Sequence, residues 1–237
     1  MKSFFLPSLF FKKKWVWFSQ PFDISGADMV TFFSYDDIEI DGFKKKSGYT
    51  SIIDLGKDVD HIWAGMRKKF VRKQITKGEL NGIKVVRDKN FSAFKKIYST
   101  FRKNKNIGKD SYGAFVKEGI LFSAYMEDQL IAGGVFLADE EYMRAWALAS
   151  KRLNGLSGPE REIVGQANRM IIWEAIKFAK QNGCKIFDLG GINPSSQKSE
   201  DKSLLEFKEA FGGDRKRHFF YSKIYSRILL FLLKMRS

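Results

Sequence analysis

A chain of 237 residues with 44% hydrophobic content, including 23 Phe and 5 Trp, is long enough to bury a core without staples, and its composition excludes a disordered polymer. Its single cysteine, Cys184, rules out an intrachain disulfide and suits a reducing, cytoplasmic setting, while two histidines, His61 and His218, are too few for a His/Cys metal site. A net charge of +15 favours an anionic partner: nucleic acid, a phosphorylated cofactor or substrate, or an acidic membrane surface. The plainer reading is a soluble protein with many surface lysines.

In chain order, the opening "MKSFFLPSLFFKKKWVWF" has a short apolar run, broken by Pro7 and followed by three lysines where a cleavage site would stand, so it makes a poor signal peptide. Residues 1–48 read as an aromatic-rich strand and loop segment, with turns at Ser25-Gly26 and Asp41-Gly42, preceding a main domain over 49–237. "YTSIIDLG" (49–56) reads as a strand, and Asp58 or Asp60 caps a helix carrying Val59, Ile62, Trp63, Met66 and Phe70 on one face. That helix ends at Asn81-Gly82. Its other face bears Arg67, Lys68, Lys69, Arg72, Lys73 and Lys77, with Lys68 over Arg72 and Lys69 over Lys73 as a cationic stripe.

"IKVVRD" is a further short strand, and Asn90 caps a helix with Phe91, Phe94, Ile97, Tyr98 and Phe101 inward. "ILFSAYM", "LIAGGVFLA" and "YMRAWALAS" form an antiparallel meander. Within it, Gly133-Gly134 predicts a bulge or the close approach of a ligand. Tyr125, Phe136, Tyr142 and Trp146 either line an acceptor groove or pack as core. Residues 161–182 carry helical spacing up to Gly183, and "KIFDLGG" is the next strand. A helix bearing Lys208 then runs to Gly212-Gly213. The C-terminal "YSKIYSRILLFLLKMRS" is too short in its apolar run to span a membrane and reads as an amphipathic basic helix lying on the protein or on an anionic membrane surface. The order is that of a mixed α+β protein.

"NRMIIWEAIKFAKQNGCKIFDLGGINP" followed by "LLEFKEAFGGD" resembles the Fem-type branch of the GNAT-like acyltransferases, which includes the aminoacyltransferases that build peptidoglycan cross-bridges. "YTSIIDLG…IWAGMRKKFVRKQITKGELNGIKV" is similar to a second element of that family, and together they cover most of residues 49–221. The resemblance implies a GNAT-like fold, a central, mostly antiparallel sheet flanked by helices, and N-acyl transfer to an amine on a cell-wall or surface-polysaccharide precursor. The donor it implies is an acyl-CoA or an aminoacyl-tRNA, and the partners are CoA, tRNA or a nucleotide- or lipid-linked sugar, with no metal. "EIVGQA" (162–167) places Gly165 and Ala167 at the interval of the CoA-binding loop, but Glu162 departs from that motif. The chain is too short for two tandem GNAT-like units, so where an acceptor binds across two units this chain would need an oligomer, such as a homodimer, or a smaller acceptor.

Within this framework Lys208 is the expected oxyanion stabiliser and Asp188 the residue that orients or deprotonates the attacking amine. On the residues alone, Lys208 reads equally as a solvated surface lysine and Asp188 as a cap bonding its own backbone amides. Gly190, Gly191 and Asn193 would admit the acyl group, and Phe207 and Phe211 would anchor the Lys208 helix beside the donor. Arg67, Lys69, Arg72 and Lys73 would hold phosphate, and Trp146 would line the acceptor site. A non-catalytic nucleic-acid-binding module is the alternative that uses the same charge.

Overall fold

The computed structural model describes residues 1–6, 10–105, 112–151 and 157–235, with only the backbone considered at 233 and 234; Pro7 lies outside this set. Among the described residues the strands are β1 (Lys2–Leu6), β2 (Lys13–Trp17), β3 (Met29–Ser34), β4 (Lys44–Asp54), β5 (Lys84–Asp88), β6 (Ile120–Met126), β7 (Gln129–Ala138), β8 (Tyr142–Ser150), β9 (Ile186–Ile192) and β10 (Asp214–Ile224). The helices are α1 (Val59–Gly65), α2 (Lys73–Leu80), α3 (Phe91–Lys105), α4 (Tyr112–Glu118), α5 (Gly158–Gln181), α6 (Ser199–Glu209) and α7 (Arg227–Lys234).

All ten strands join one sheet in the order β1-β2-β3-β10-β4-β9-β8-β7-β6-β5. Every neighbouring pair is antiparallel except β2–β3 and β8–β9. The architecture is therefore mixed α+β, with a mostly antiparallel sheet and flanking helices. Residues 1–48 supply three strands to that sheet, and the division at 48 falls inside β4. β10 joins the two halves by pairing with β3 on one edge and β4 on the other.

The sheet coils, so that β1 and β2 return over β7 and β8. Phe4, Trp17, Phe33 and Leu137 share one buried cluster, and the Phe4 ring lies 5.5 Å from that of Trp146. On the opposite face, α5 buries Val164, Ala167, Met170, Ile171, Ala175 and Ile176 against the sheet. This helical spacing matches the sequence expectation, and α5 is capped three residues earlier than expected, at Ser157.

Gly133 and Gly134 have a packing explanation. A Cβ at Gly133 would sit 2.5 Å from the Phe94 ring of α3, and one at Gly134 would sit 2.9 Å from Ile171 of α5. The pair lets a helix approach each face of β7, and the register shifts of this strand fall on either side of it, at Ile131 against β6 and between Val135 and Phe136 against β8. The bulge-or-ligand expectation is corrected accordingly. Phe136 is fully buried core.

The helix expected from Asp58 to Asn81 is broken. Asp58 caps α1 through His61 N at 2.6 Å, but Met66 and Arg67 leave the helical region with ψ of 140° and 118°. Arg67 N donates instead to Ala210 O at 2.8 Å, beyond the end of α6. Gly212, at φ +79°, fits against this break, where a Cβ would lie 2.8 Å from Gly65 O. A π-helical turn over Lys68–Arg72 leads into α2. Its wider winding undoes the expected stacking of Lys68 on Arg72, and Phe70 is turned outward rather than inward. The C-terminal helix also starts later than expected, because Tyr221–Ile224 belong to β10.

Candidate active site

Parallel pairing of β8 with β9 covers Tyr142–Arg144 against Ile186–Asp188 and then stops. Beyond it the two strands part around a cleft of about 350 Å³. Its walls are Arg144–Leu148 of β8, Leu189–Gly191 of β9, Trp15 and Trp17 of β2, and Leu204 and Lys208 of α6. A cleft where adjacent parallel strands diverge exposes backbone groups that no ladder uses, which suits a ligand carrying its own polar atoms.

Asp188 stands at the point of divergence with no exposed surface. Its Oδ1 accepts from Gly190 N at 2.6 Å and from Thr50 Oγ1; its Oδ2 accepts from Tyr35 Oη at 2.7 Å and from Arg144 Nη1. Four donors saturate a carboxylate. Asp188 therefore has no oxygen left for an attacking amine, and the expected amine contact is corrected: the side chain pins the Gly190 loop and neutralises Arg144. The guanidinium of Arg144 also lies 4.4 Å from the Phe33 ring centroid. Burial, followed by the charge of Asp188, pushes the Tyr35 hydroxyl pKa upward, so this group stays a proton donor. His218 packs on Phe33 and Phe220, and its Nδ1 lacks a hydrogen-bond partner among the described residues. Burial and the nearby Arg144 charge push its pKa down to about 4.

Lys208 is a buried lysine, 7% exposed, on the cleft side of α6. Its ammonium donates to Gly191 O at 2.7 Å. Burial, with the repulsion of Arg144 added and the attraction of Asp188 opposing, lowers its pKa to about 8. Gly190, at φ +88°, makes room for it, since a Cβ there would lie 3.3 Å from both Lys208 Nζ and Ala145 O. Phe207 and Phe211 hold the helix, with ring centroids 5.4 Å apart. Phe211 is wholly inside the core, which corrects its expected place beside a ligand. Asn193 is exposed at the turn after β9, accepting from Ser196 N at 3.2 Å. Trp146 lines the cleft while its ring rests 4.7 Å from that of Phe115.

A second depression of about 570 Å³ lies between the π-helical turn and the first half of α5, lined by Lys69, Phe70, Gln74, Arg161, Glu162 and Arg169 among others. Arg169 donates to Gly165 O at 2.8 Å and covers the Phe207 ring at 5.2 Å. Neighbouring residues of α6 thus serve the two depressions: Phe207 faces Arg169 and Lys208 faces the cleft. Of the four expected phosphate ligands, Lys69 lines this groove. Lys73 is exposed, Arg67 pairs with Glu206 at 3.6 Å, and Arg72 is half-buried. Glu162–Ala167 lies within α5, and the helix start is already occupied by Glu160, which accepts from Ser157 N at 2.8 Å and Ser157 Oγ at 2.6 Å. Among the described residues, no three His, Cys, Asp or Glu side chains converge to hold a metal ion.

Residues 165–218 match the model of the FemAB family, a span that contains Asp188, Gly190, Gly191 and Lys208. The whole fold is similar to the crystal structure of FemX, with a TM-score of 0.65 at 14% identity, over 96% of this chain and 84% of that one. Over residues 165–218 the chain resembles the FemAB family. The fold is also similar to the C-terminal domain of a putative lysylphosphatidylglycerol synthetase from Agrobacterium fabrum and to L-PGS from Bacillus licheniformis. Each has a TM-score of 0.52 at 12% identity, over 88% of this chain and 72% of the other. No curated protein matches the chain in sequence.

Proposed function

We propose that the protein is an aminoacyltransferase, which moves an aminoacyl group from the ester of an aminoacyl-tRNA to an amine on a cell-wall or surface-polysaccharide precursor. The observation that carries this reading is the buried Lys208 ammonium at the β8–β9 cleft. A cation desolvated beside a double glycine is worth most where negative charge develops on a carbonyl oxygen. The acceptor amine attacks the ester carbonyl, and the resulting oxyanion faces Lys208. The C–O bond to the donor ribose then breaks, and the proton released by the amine leaves on the departing oxygen. Arg144 and Asp188 hold the cleft open as positioning residues and exchange no proton.

Transfer RNA is favoured over CoA because Glu160 already caps α5, so a pyrophosphate at that helix start would meet a carboxylate. The groove carrying Lys69 and Arg161 is the proposed seat of the donor backbone, one helix face away from the cleft. One protein of similar fold carries the name lysylphosphatidylglycerol synthetase, in keeping with aminoacyl transfer.

The test is transfer of radiolabelled amino acid from charged tRNA to a panel of amino-sugar and peptide amines, in parallel with acetyl-CoA. Turnover with charged tRNA that is lost in Lys208→Met supports the reading. Turnover with acetyl-CoA alone, or salt-sensitive binding of charged and uncharged tRNA alike without turnover, refutes it.

A further inference from the structure

The segment entering β2 and the segment leading into α7 meet at Asp28. Its backbone N donates to Lys12 O at 2.8 Å and its side chain accepts from Lys12 N at 2.8 Å, while its carbonyl accepts from Tyr225 N at 2.8 Å and Ser226 N at 3.2 Å. Phe10, 85% exposed, lies two residues before Lys12 at this junction. In α7, Leu229 turns into the protein at 5% exposed, anchored by its N–H on Ser226 Oγ at 3.2 Å. Ile228, Phe231, Leu232 and Met235 fall at i, i+3, i+4 and i+7 and are 69%, 63%, 42% and 71% exposed. This spacing is that of a core-facing stripe, yet the stripe points away from the core.

Charge decides what covers it. The first 22 residues carry four lysines and no acid, and the last 23 carry seven Lys or Arg and no acid. Exposed Lys12 and Arg227 flank the apolar residues. A second copy would bring the same cations face to face, a repulsive arrangement. An anionic phospholipid surface supplies the opposite charge together with an apolar layer. Among the described residues no helix is long and apolar enough to cross a membrane, and α7, at about 12 Å, suits a helix lying in the interface.

We propose that Phe10 and the outward stripe of α7, flanked by Lys12 and Arg227, dock the protein on an anionic membrane surface. The site reading above is not needed for this assignment. The chain from Lys12 enters β2 directly and reaches Trp15 of the cleft wall within about 10 Å, so the docked edge adjoins the cleft.

Flotation with phosphatidylcholine vesicles, with and without phosphatidylglycerol, tests it on the full chain. Partitioning onto the anionic vesicles is expected, falling about fivefold for each of Lys12→Gln and Arg227→Gln. It should be lost in the double variant Ile228→Asp/Phe231→Asp. Ile228→Ser/Phe231→Ser, which keeps Leu229 as anchor, serves if the aspartates prevent folding, and circular dichroism establishes which variants are folded. Equal partitioning onto both vesicle types, or none onto either, overturns the assignment. So does a dimer in light scattering that dissociates in the double variant, which would give the stripe to a second copy.

Discussion

Replacing Lys208 with methionine should make the protein more stable at neutral pH while removing its activity. The lysine pKa falls from its ordinary 10.5 to about 8 in the fold. At about 1.4 kcal/mol per pH unit, carrying the charge at pH 7 costs the folded state about 3 kcal/mol. Methionine keeps the length of the stem and deletes the charge, at the loss of one hydrogen bond to Gly191 O, a contact worth about 1–2 kcal/mol. The net gain at pH 7 is about 1–2 kcal/mol. Its sign reverses with pH in a defined way. Between pH 8 and 10.5 the unfolded chain holds a proton that the folded chain has released, so wild-type stability rises across that window and the advantage of methionine disappears. Urea unfolding of both proteins at pH 7 and above pH 10 measures this directly. Lower stability of Lys208→Met at pH 7, or a wild-type curve flat from pH 8 to 10.5, would refute the claim that the fold strains against this charge. Activity of the variant should fall about 100- to 1,000-fold, the scale of a lost oxyanion contact.

The remaining expectations concern the surroundings of that lysine. Arg144→Met leaves the enclosed Asp188 carboxylate without its countercharge and should cost about 3–5 kcal/mol in urea unfolding; adding Asp188→Asn should recover a large part, and a single-variant loss below about 1 kcal/mol would contradict the geometry. Gly190→Ala puts a Cβ at φ +88° against Lys208 Nζ, so a loss of about 1–3 kcal/mol is expected together with reduced turnover, and a fully active, fully stable variant would exclude the tight fit. For His218, whose pKa is pushed below its ordinary 6.5 to about 4, the neutral ring is the folded form; stability present above pH 6.5 is therefore lost as pH falls toward 4. His218→Phe should flatten that acid limb, and unchanged acid sensitivity would show that another group causes it.

Much of this arrangement could be read in the chain beforehand, and the parts that could not share a cause. The β6–β8 meander and α5 were legible because period-two and period-3.6 apolar patterns are local. So was the run from Asp188 through the double glycine to Lys208. Burial of Lys208 was not, since no feature of α6 itself says which partner covers it. Arg144 carried a signal in retrospect: an arginine inside "YMRAWALAS" must find a countercharge, and Asp188 is 44 residues away. Tyr35 and Thr50 gave none, because their role depends on pairing between distant strands. The break after α1 was hidden for the same reason. Its hydrogen bond goes to Ala210, which no periodicity in residues 58–81 can reveal. β10 opens with "DRKRH", a poor strand signature, and owes its conformation to being clasped on both edges by β3 and β4.

The place of β10 also governs how the chain can assemble. Among the described strands it is the last in chain order, yet it fills the middle of the sheet, bridging partners about 160 to 195 residues earlier. Until residue 224 is available, β3 and β4 each present an open edge and cannot pair with one another across the gap. The early strands, with Trp15, Trp17 and Phe33 among them, must therefore wait uncovered until β10 emerges. Folding should be slow, all-or-none and dependent on the C-terminal segment, and a chain truncated before Asp214 should aggregate rather than form half a sheet.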